Sequence, residues 1–410
     1  MQTTRPASPS PTLWYDLTAL DRFVGNVTGI QRAISAVARA LLDGAAPMPA
    51  RFCTWRKKMG FFEVSAADTA ALLGTLGRRP RSDANERWEK IQRRIRRRIG
   101  VAHPPVAPLA PGDFLVNLGF GNHPDRHRPG VADFLAKHGT RYVGFIYDVL
   151  PLRYPEWWSF EQQAMTRDWF AFTGRHADLV LCCSEASRRD AKWFFDREAI
   201  PSPALATVRL GGDFVTARTR NAGTAPVRPR PFVLYVSSLD VRKNHRTLFQ
   251  VWKRLLAKHG ADATPDLVCV GRPAALVDDF LTEVENAGRL GGRLVFLQGV
   301  DDATLADLYE ECLFTVFPSI AEGWGIPVTE SLSHGKYCVA SGASSLPEVG
   351  GDLCDYHDPL DVGAAFRLIE RACFDAELRA AREARIRACF HGESWNECAA
   401  SIARALLAAP

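Results

Sequence analysis

The chain has 410 residues, which exceeds what one hydrophobic core usually organises, so two domains are expected. Hydrophobic residues make up 47% and charged residues 24%, ordinary for a globular enzyme, and no apolar run approaches a bilayer span. The net charge of +5 is concentrated: Arg78 to Arg98 carry ten Lys/Arg against three Asp/Glu, so the remainder is slightly acidic and general nucleic-acid affinity is not expected. The opening residues Met1 to Thr12 are polar and proline-rich, without the apolar region of a secretory leader. Ten cysteines form no C-x-x-C pair, and Cys182, Cys183, Cys269 and Cys338 fall inside apolar runs. Buried free thiols of a reducing cytoplasm are therefore expected, with no metal site.

In chain order, strands are expected at Leu13–Leu17, Phe114–Leu118, Tyr142–Tyr147, Leu179–Cys183 and Ala204–Leu210, with a less defined strand over Phe52–Val64. Helices fall between them at Thr28–Leu42, Val131–His138, Glu156–Arg175 and Ser187–Phe195. Within the basic run, Trp88, Ile91, Ile95 and Ile99 make a narrow apolar stripe, so 78–100 is expected as a basic amphipathic helix. It suits an anionic membrane surface or a docked helix with a solvated arginine face. Nucleic acid is the third option, but no binding module accompanies it. Residues 215–231 are rich in Ala, Thr, Arg and Pro and lack a hydrophobic period, as expected of a linker.

The second half restarts the alternation. Strands are expected at 232–239, 266–271, 293–299, 313–319 and 337–342, with helices at 243–260, Val277–Ala287, Thr304–Glu311 and through the tail from about Leu360. Continuous apolar strands separated by helices imply parallel sheets covered on both faces. The expected fold is α/β: two Rossmann-like doubly wound domains facing a central cleft, at 1–214 and 232–385, with 386–410 a terminal helix. Ligands of such sheets sit beyond the carboxyl ends of the strands, so the loops there matter most.

Two such loops stand out. In "PSIAEGWGIPVTE" (318–330) a strand ends, a Gly-Trp-Gly turn follows and Pro327 opens a helix. Glu322 lies in the loop and Glu330 in the helix's first turn. Free backbone N–H groups over Gly325–Val328 are expected to face the cleft and suit a phosphate, and Gly323 and Gly325 allow close backbone approach. A carboxylate can accept two hydrogen bonds from a pair of sugar hydroxyls. In "VSSLDVRKNH" (236–245), Arg242 and Lys243 follow a strand and open a helix, an unfavourable place for cations unless an anion is to be bound. Weaker candidates are "GNVTGIQR" (25–32), either an acceptor loop or a turn capped by Thr28, His123 in "LGFGNHP", and the Ser184–Glu185 pair. Asp148 is either a cleft residue or a turn residue before Pro151.

The Glu322–Glu330 spacing, "LDVRKNHRTLFQVW" (239–252) and "ASSLPEVGGD" (343–352) together resemble the retaining family 4 glycosyltransferases of the GT-B fold. "YDVLPLRYPEWW" (147–158), "CSEASRRD" (183–190) and "TGIQRAI" (28–34) are similar to bacterial members that build surface polysaccharides. The resemblance covers nearly all of the second domain and scattered blocks of the first. It implies a first domain that binds the acceptor, a second that binds the nucleotide sugar, and a last helix crossing back to the first. It further implies that Glu330 holds the ribose hydroxyls, that Glu322 and the backbone after it hold the donor hexose, and that Lys243 and Arg242 stabilise the diphosphate. Gly323, Trp324, Gly325, Ile326, Pro327, Val328 and Ser238 would line the donor site, and no metal would be required.

Where many relatives carry an arginine the chain has Ser237-Ser238, and where related enzymes read His-Asp it has Tyr147-Asp148. The acceptor-side catalytic role of Asp148 is therefore left open. The implied reaction transfers a hexose to a saccharide or lipid-linked saccharide, at the cytoplasmic face of a membrane. GDP-mannose comes first among the donors because relatives of this type often use it. A nucleotide-sugar epimerase of the same fold and a non-catalytic sugar-nucleotide-binding protein are the alternatives.

Overall fold

The computed structural model describes residues 10–21, 23, 29–56, 60–75, 107–119, 128–213, 227–274 and 276–409. The basic run 78–100, His123, Thr28 and most of the linker 215–231 lie outside the described residues.

Two sheets organise the molecule. The first contains β1 (Leu13–Asp16), β2 (Ala50–Arg56), β3 (Gly60–Val64), β4 (Phe114–Asn117), β5 (Arg141–Ile146), β6 (Leu179–Cys182) and β7 (Ala204–Thr207), in the spatial order β3-β2-β1-β4-β5-β6-β7. The second contains β8 (Phe232–Val236), β9 (Asp266–Val270), β10 (Leu294–Leu297), β11 (Thr315–Phe317), β12 (Cys338–Ser341) and β13 (Asp355–His357), in the order β10-β9-β8-β11-β12-β13. Pairing is parallel throughout both sheets except between β2 and β3. The uniform Phe52–Val64 strand expected from the sequence is instead this antiparallel hairpin. It closes one edge of the first sheet, where a crossover helix is not needed. In both sheets the strand order reverses beside the first strand, which opens a crevice at the carboxyl ends of β1 and β8.

Burial explains the strand composition. Every residue of β1, β6, β9 and β12 is buried, as strands covered on both faces require. The helix His245–Ala263 buries Leu248, Val251, Trp252 and Leu255 on one face. Its geometry breaks at Gly260, where the sequence placed its end. The closing strand β13 and the helix Ala66–Thr75 were not expected: β13 is three residues long, too short for a period-two signal.

The last helix, Trp395–Ala408, lies against Gly29–Leu42 of the first domain. Its Trp395, Cys398, Ile402 and Leu406 share one core with Leu13, Tyr15, Ile34 and Val37. A capping box between Ser394 and Glu397 fixes where it starts. All ten cysteines are free, and no helix among the described residues is long and apolar enough to cross a membrane.

Candidate active site

The loop after β8 carries the cations. Asp240 accepts a hydrogen bond from the Arg242 N–H at 3.0 Å and so caps a short 3-10 turn, Val241–Lys243. Asn244 then adopts a left-handed conformation (φ 59°), and only after it does the long helix begin at His245. The expectation that Arg242 and Lys243 open a helix is thereby corrected. The Asp240 cap and Asn244 set them one turn ahead of it, and the dipole penalty does not arise.

Their anion is in the protein. Lys243 Nζ donates to Glu322 Oε1 at 2.5 Å and Arg242 to Glu322 Oε2 at 2.9 Å, so one carboxylate from the loop after β11 binds two cations from the loop after β8. All three groups are largely buried. Burial alone would raise the Glu322 pKa, but Lys243 and Arg242 overcome it and hold the carboxyl at about 2. Burial lowers the Lys243 pKa and Glu322 opposes that shift, whereas Arg242 is raised because Glu322 and Asp240 outweigh its burial. The Lys243 ammonium also sits 5.1 Å above the Phe317 ring, and Tyr235 OH donates to the Lys243 carbonyl at 2.5 Å, which fixes the backbone of the loop.

Glu330 lies in the second turn of the helix Ile326–Ser333, not the first, because the helix starts at Ile326 with Pro327 as its second residue. Its Oε2 accepts from Tyr309 OH at 2.9 Å, and burial raises its pKa to about 7 against the lowering effect of Tyr309 and Arg32. The expected row of free N–H groups is shorter than foreseen. Pro327 has none, and that of Val328 donates to the Gly325 carbonyl at 2.9 Å, so Gly325 and Ile326 are the positions on this turn able to meet a ligand. Gly325 itself has φ 124°, closed to other residues. Ser238 is exposed at the end of β8.

The glycine turn also joins the two domains. The Gly323 carbonyl accepts from Ser184 Oγ at 2.8 Å, Ser187 Oγ at 3.1 Å and Cys183 Sγ at 3.1 Å. A Cβ on Gly323 would lie 2.3 Å from the Tyr147 carbonyl oxygen and 3.0 Å from Asp148 Cβ. The Trp324 side chain is buried in the first domain's core with Tyr147 and Cys183, so the indole anchors the turn across the domain boundary. Asp148 therefore stands beside Gly323. It also accepts from the Leu150 N–H at 3.1 Å, so the turn role and the cleft position coexist, and burial raises its pKa while Arg242 lowers it. Ser184 likewise both caps its helix, accepting from Ser187 N–H at 2.9 Å, and faces the second domain.

Three contributors escaped the sequence. Tyr309 reaches Glu330 from the helix Asp302–Glu311. Ser345 Oγ donates to the carbonyls of Glu322 and Trp324 at 3.0 and 2.6 Å and holds the turn in shape. Glu348 accepts from the N–H groups of Glu185 and Ala186, both at 2.7 Å, capping a first-domain helix from the second domain. Ser345 and Glu348 belong to the quoted 343–352 motif, but nothing in it says which element they meet.

Comparison with known proteins agrees with this architecture. Residues 230–369 match the family described as Glycosyl transferases group 1. The chain is 28% identical over 201 residues to the serotype-specific mannosyltransferase WbdA of Escherichia coli, covering 45% of this chain and 24% of that protein. It is 30% identical over 228 residues to the O-antigen chain mannosyltransferase B of E. coli, covering 54% of this chain and 58% of that one. The chain thus spans about a quarter to somewhat over half the length of these relatives. Among solved structures, HepE of Anabaena in complex with UDP and glucose superposes with a TM-score of 0.61 at 18% identity, over 97% of this chain and 100% of that one. A sucrose-phosphate synthase of Thermosynechococcus elongatus gives 0.62 at 17% identity, over 98% and 100%. Two parallel-sheet domains meeting at the Gly323 turn thus have the GT-B fold, and residues 230–369, which carry the second sheet, are similar to the glycosyl transferases group 1 family.

Proposed function

We propose that the chain transfers a hexose from a nucleoside-diphosphate sugar to a saccharide or lipid-linked saccharide, with retention of anomeric configuration, in the synthesis of a surface polysaccharide. The observation that carries this is the convergence of Lys243 and Arg242 on Glu322, eight residues before the buried Glu330, where the strand order of the second sheet reverses.

In this reading the donor diphosphate takes over the two cations, Glu322 turns to hydroxyls of the hexose, and Glu330 accepts from the ribose diol. As the glycosidic bond breaks, negative charge grows on the diphosphate. Lys243 and Arg242, fixed in a buried setting, stabilise it without reorganisation, and the proposal asks for no metal ion. Gly323, Gly325 and Ile326 let backbone approach the donor, with Ser238, Pro327 and Val328 around it and Trp324 anchoring the turn. Asp148, beside Gly323, is placed to meet the acceptor hydroxyl. The contact between domains at Gly323 would exclude water, which competes with the acceptor. The relatives' names favour mannose, whereas HepE was solved with UDP and glucose, so donor base and sugar are both to be measured. We place the protein at the cytoplasmic face of the membrane, with the basic run 78–100 against anionic lipid.

Calorimetry with GDP-mannose, UDP-glucose, UDP-N-acetylglucosamine and dTDP-rhamnose tests the donor site on wild type, Lys243→Ala and Glu330→Ala. One donor binding, weakened by both substitutions, is expected. No binding at millimolar donor would remove the basis of the reading, and turnover of a bound donor to an epimer without acceptor would replace it.

A further inference from the structure

Downstream of Asp148 the chain makes a second surface that the donor site does not use. After β5 the residues "RYPEWWSFE" (153–161) pass through a 3-10 turn, Pro155–Trp157, into the helix Phe160–His176. That helix runs back to the start of β6 at Leu179, so its Phe160 end lies at the same sheet edge as Asp148, the edge that faces the cleft. Aromatic side chains are concentrated here. Tyr154 and Trp157 stack with ring centroids 4.6 Å apart and an interplanar angle of 9°, Trp158 follows at 6.0 Å from Trp157, and Phe160 is 89% exposed.

An exposed apolar side chain in a mobile loop would mean little, but this loop is tied down. The Gln163 side-chain amide donates to the carbonyls of Pro155 at 2.8 Å and Trp158 at 2.9 Å, clamping both ends of the aromatic turn. Ser159 and Gln162 form a reciprocal capping box directly before Phe160. Flat aromatic faces held rigid at the rim of a cleft are built to receive something.

The charges beside them choose between occupants. Glu156 and Glu161 are exposed and flank the aromatic residues, and Arg153, also exposed, is neutralised by Asp190 at 3.2 Å and lies 4.5 Å over the Trp193 ring. Aromatic residues with cations would suit an anionic bilayer, and carboxylates there oppose it. Aromatic faces with carboxylates suit a carbohydrate: the apolar C–H face of a sugar ring covers the aromatic plane, and each carboxylate accepts from vicinal hydroxyls. We propose that Tyr154, Trp157, Trp158 and Phe160, with Glu156 and Glu161, form a platform for the saccharide chain of the acceptor, which leads its terminal sugar toward Asp148. The identity of this saccharide as an acceptor rests on the transferase reading above; its binding does not.

The test is a titration of the full chain with α-linked manno- and gluco-oligosaccharides of two to six sugars, followed by tryptophan fluorescence, in wild type, Phe160→Ser and Trp157→Ala. Phe160→Ser removes a fully solvated ring and leaves the fold intact even where Trp157→Ala does not. Binding by wild type that improves with oligosaccharide length is expected, weakened about fivefold to tenfold in each folded variant, as loss of one aromatic face implies. Donor affinity, measured alongside, is expected to stay unchanged. No binding of any oligosaccharide, or equal binding by Phe160→Ser, overturns the platform. Flotation with phosphatidylglycerol vesicles that Phe160→Ser abolishes, with no saccharide response, overturns it in favour of a membrane contact. If donor binds while saccharides do not, the platform alone fails; if saccharides bind while no donor does, the transferase reading alone fails.

Discussion

Glu330 and Glu322 are two carboxylates of one motif pushed in opposite directions by their neighbours. Glu330 has a hydroxyl partner in Tyr309, and burial holds its pKa at about 7 against an ordinary 4.5. A folded state that binds the proton more tightly than the unfolded one loses stability as pH rises through that window. Glu330→Gln is therefore expected to melt several degrees above wild type at pH 8 and level with it near pH 4.5, read by calorimetric melting at both values. The same ionisation governs ligand binding in the proposed role, since only the carboxylate accepts from both ribose hydroxyls. Donor affinity should tighten about tenfold from pH 6 to pH 8 in wild type, following the ionised fraction, and stay flat in Glu330→Gln. Glu322 behaves inversely. Held at about 2, it contributes stability above its ordinary pKa, and that contribution is lost only as pH falls toward 2. Lys243→Ala leaves it buried with Arg242 alone, at a cost of about 3 kcal/mol, and should lower turnover roughly 10²-fold to 10³-fold. The double variant Lys243→Ala/Glu322→Gln should recover part of the lost melting temperature and none of the turnover. Glu322 and both cations were legible as residue types at loop positions, and Glu330 on the helix that follows. Their pairing was not, because Lys243 and Glu322 are 79 residues apart and meet only through the adjacency of β8 and β11.

Among the elements, the helix Glu185–Arg197 shows how one domain completes the other. Ser184 supplies an ordinary N-cap, and two further N–H groups of the first turn, those of Glu185 and Ala186, end on the Glu348 carboxylate at 2.7 Å each. A carboxylate at this terminus satisfies both donors and meets the positive end of the helix dipole. Glu348→Ala should speed hydrogen exchange at the Glu185 and Ala186 amides roughly fivefold to tenfold, while leaving the middle of the helix unchanged. Unchanged exchange at those amides would mean that the contact is not maintained in solution. A helix start was legible at Ser184, whereas the helices capped by Ser159 and Ser394 were expected too early, from Glu156 and from 386. A start was also misplaced where a left-handed residue intervenes, as at Asn244, since αL geometry at a non-glycine residue leaves little trace in composition.

For the molecule as a whole, the restart of the strand–helix alternation at Phe232 revealed two sheets, because each buried parallel strand is a continuous apolar run. The contact that holds the two sheets in register carries no such pattern. One part of it is the Gly323 peptide, whose carbonyl takes hydrogen bonds from Ser184 and Ser187, 139 and 136 residues earlier, beside the buried Trp324 indole and the Glu348 cap. The glycine has a φ available to other residues, so its necessity here is spatial: a Cβ would stand 2.3 Å from the Tyr147 carbonyl oxygen, a backbone atom that cannot swing aside. Gly323→Ala must therefore push the turn away from Tyr147 at this point and strain the seat of the adjoining Trp324 indole in the first domain's core. Each sheet keeps its own strands, so the variant should stay folded but melt several degrees below wild type, with weaker donor binding because Gly323 also lies on the donor side of the turn. It should also scatter X-rays as a more extended particle and lose most of its transfer to acceptor, since Asp148 and the glycine turn no longer meet. Retention of full transfer by a Gly323→Ala protein of wild-type dimensions would show that the contact between domains relaxes locally and that chemistry does not depend on it.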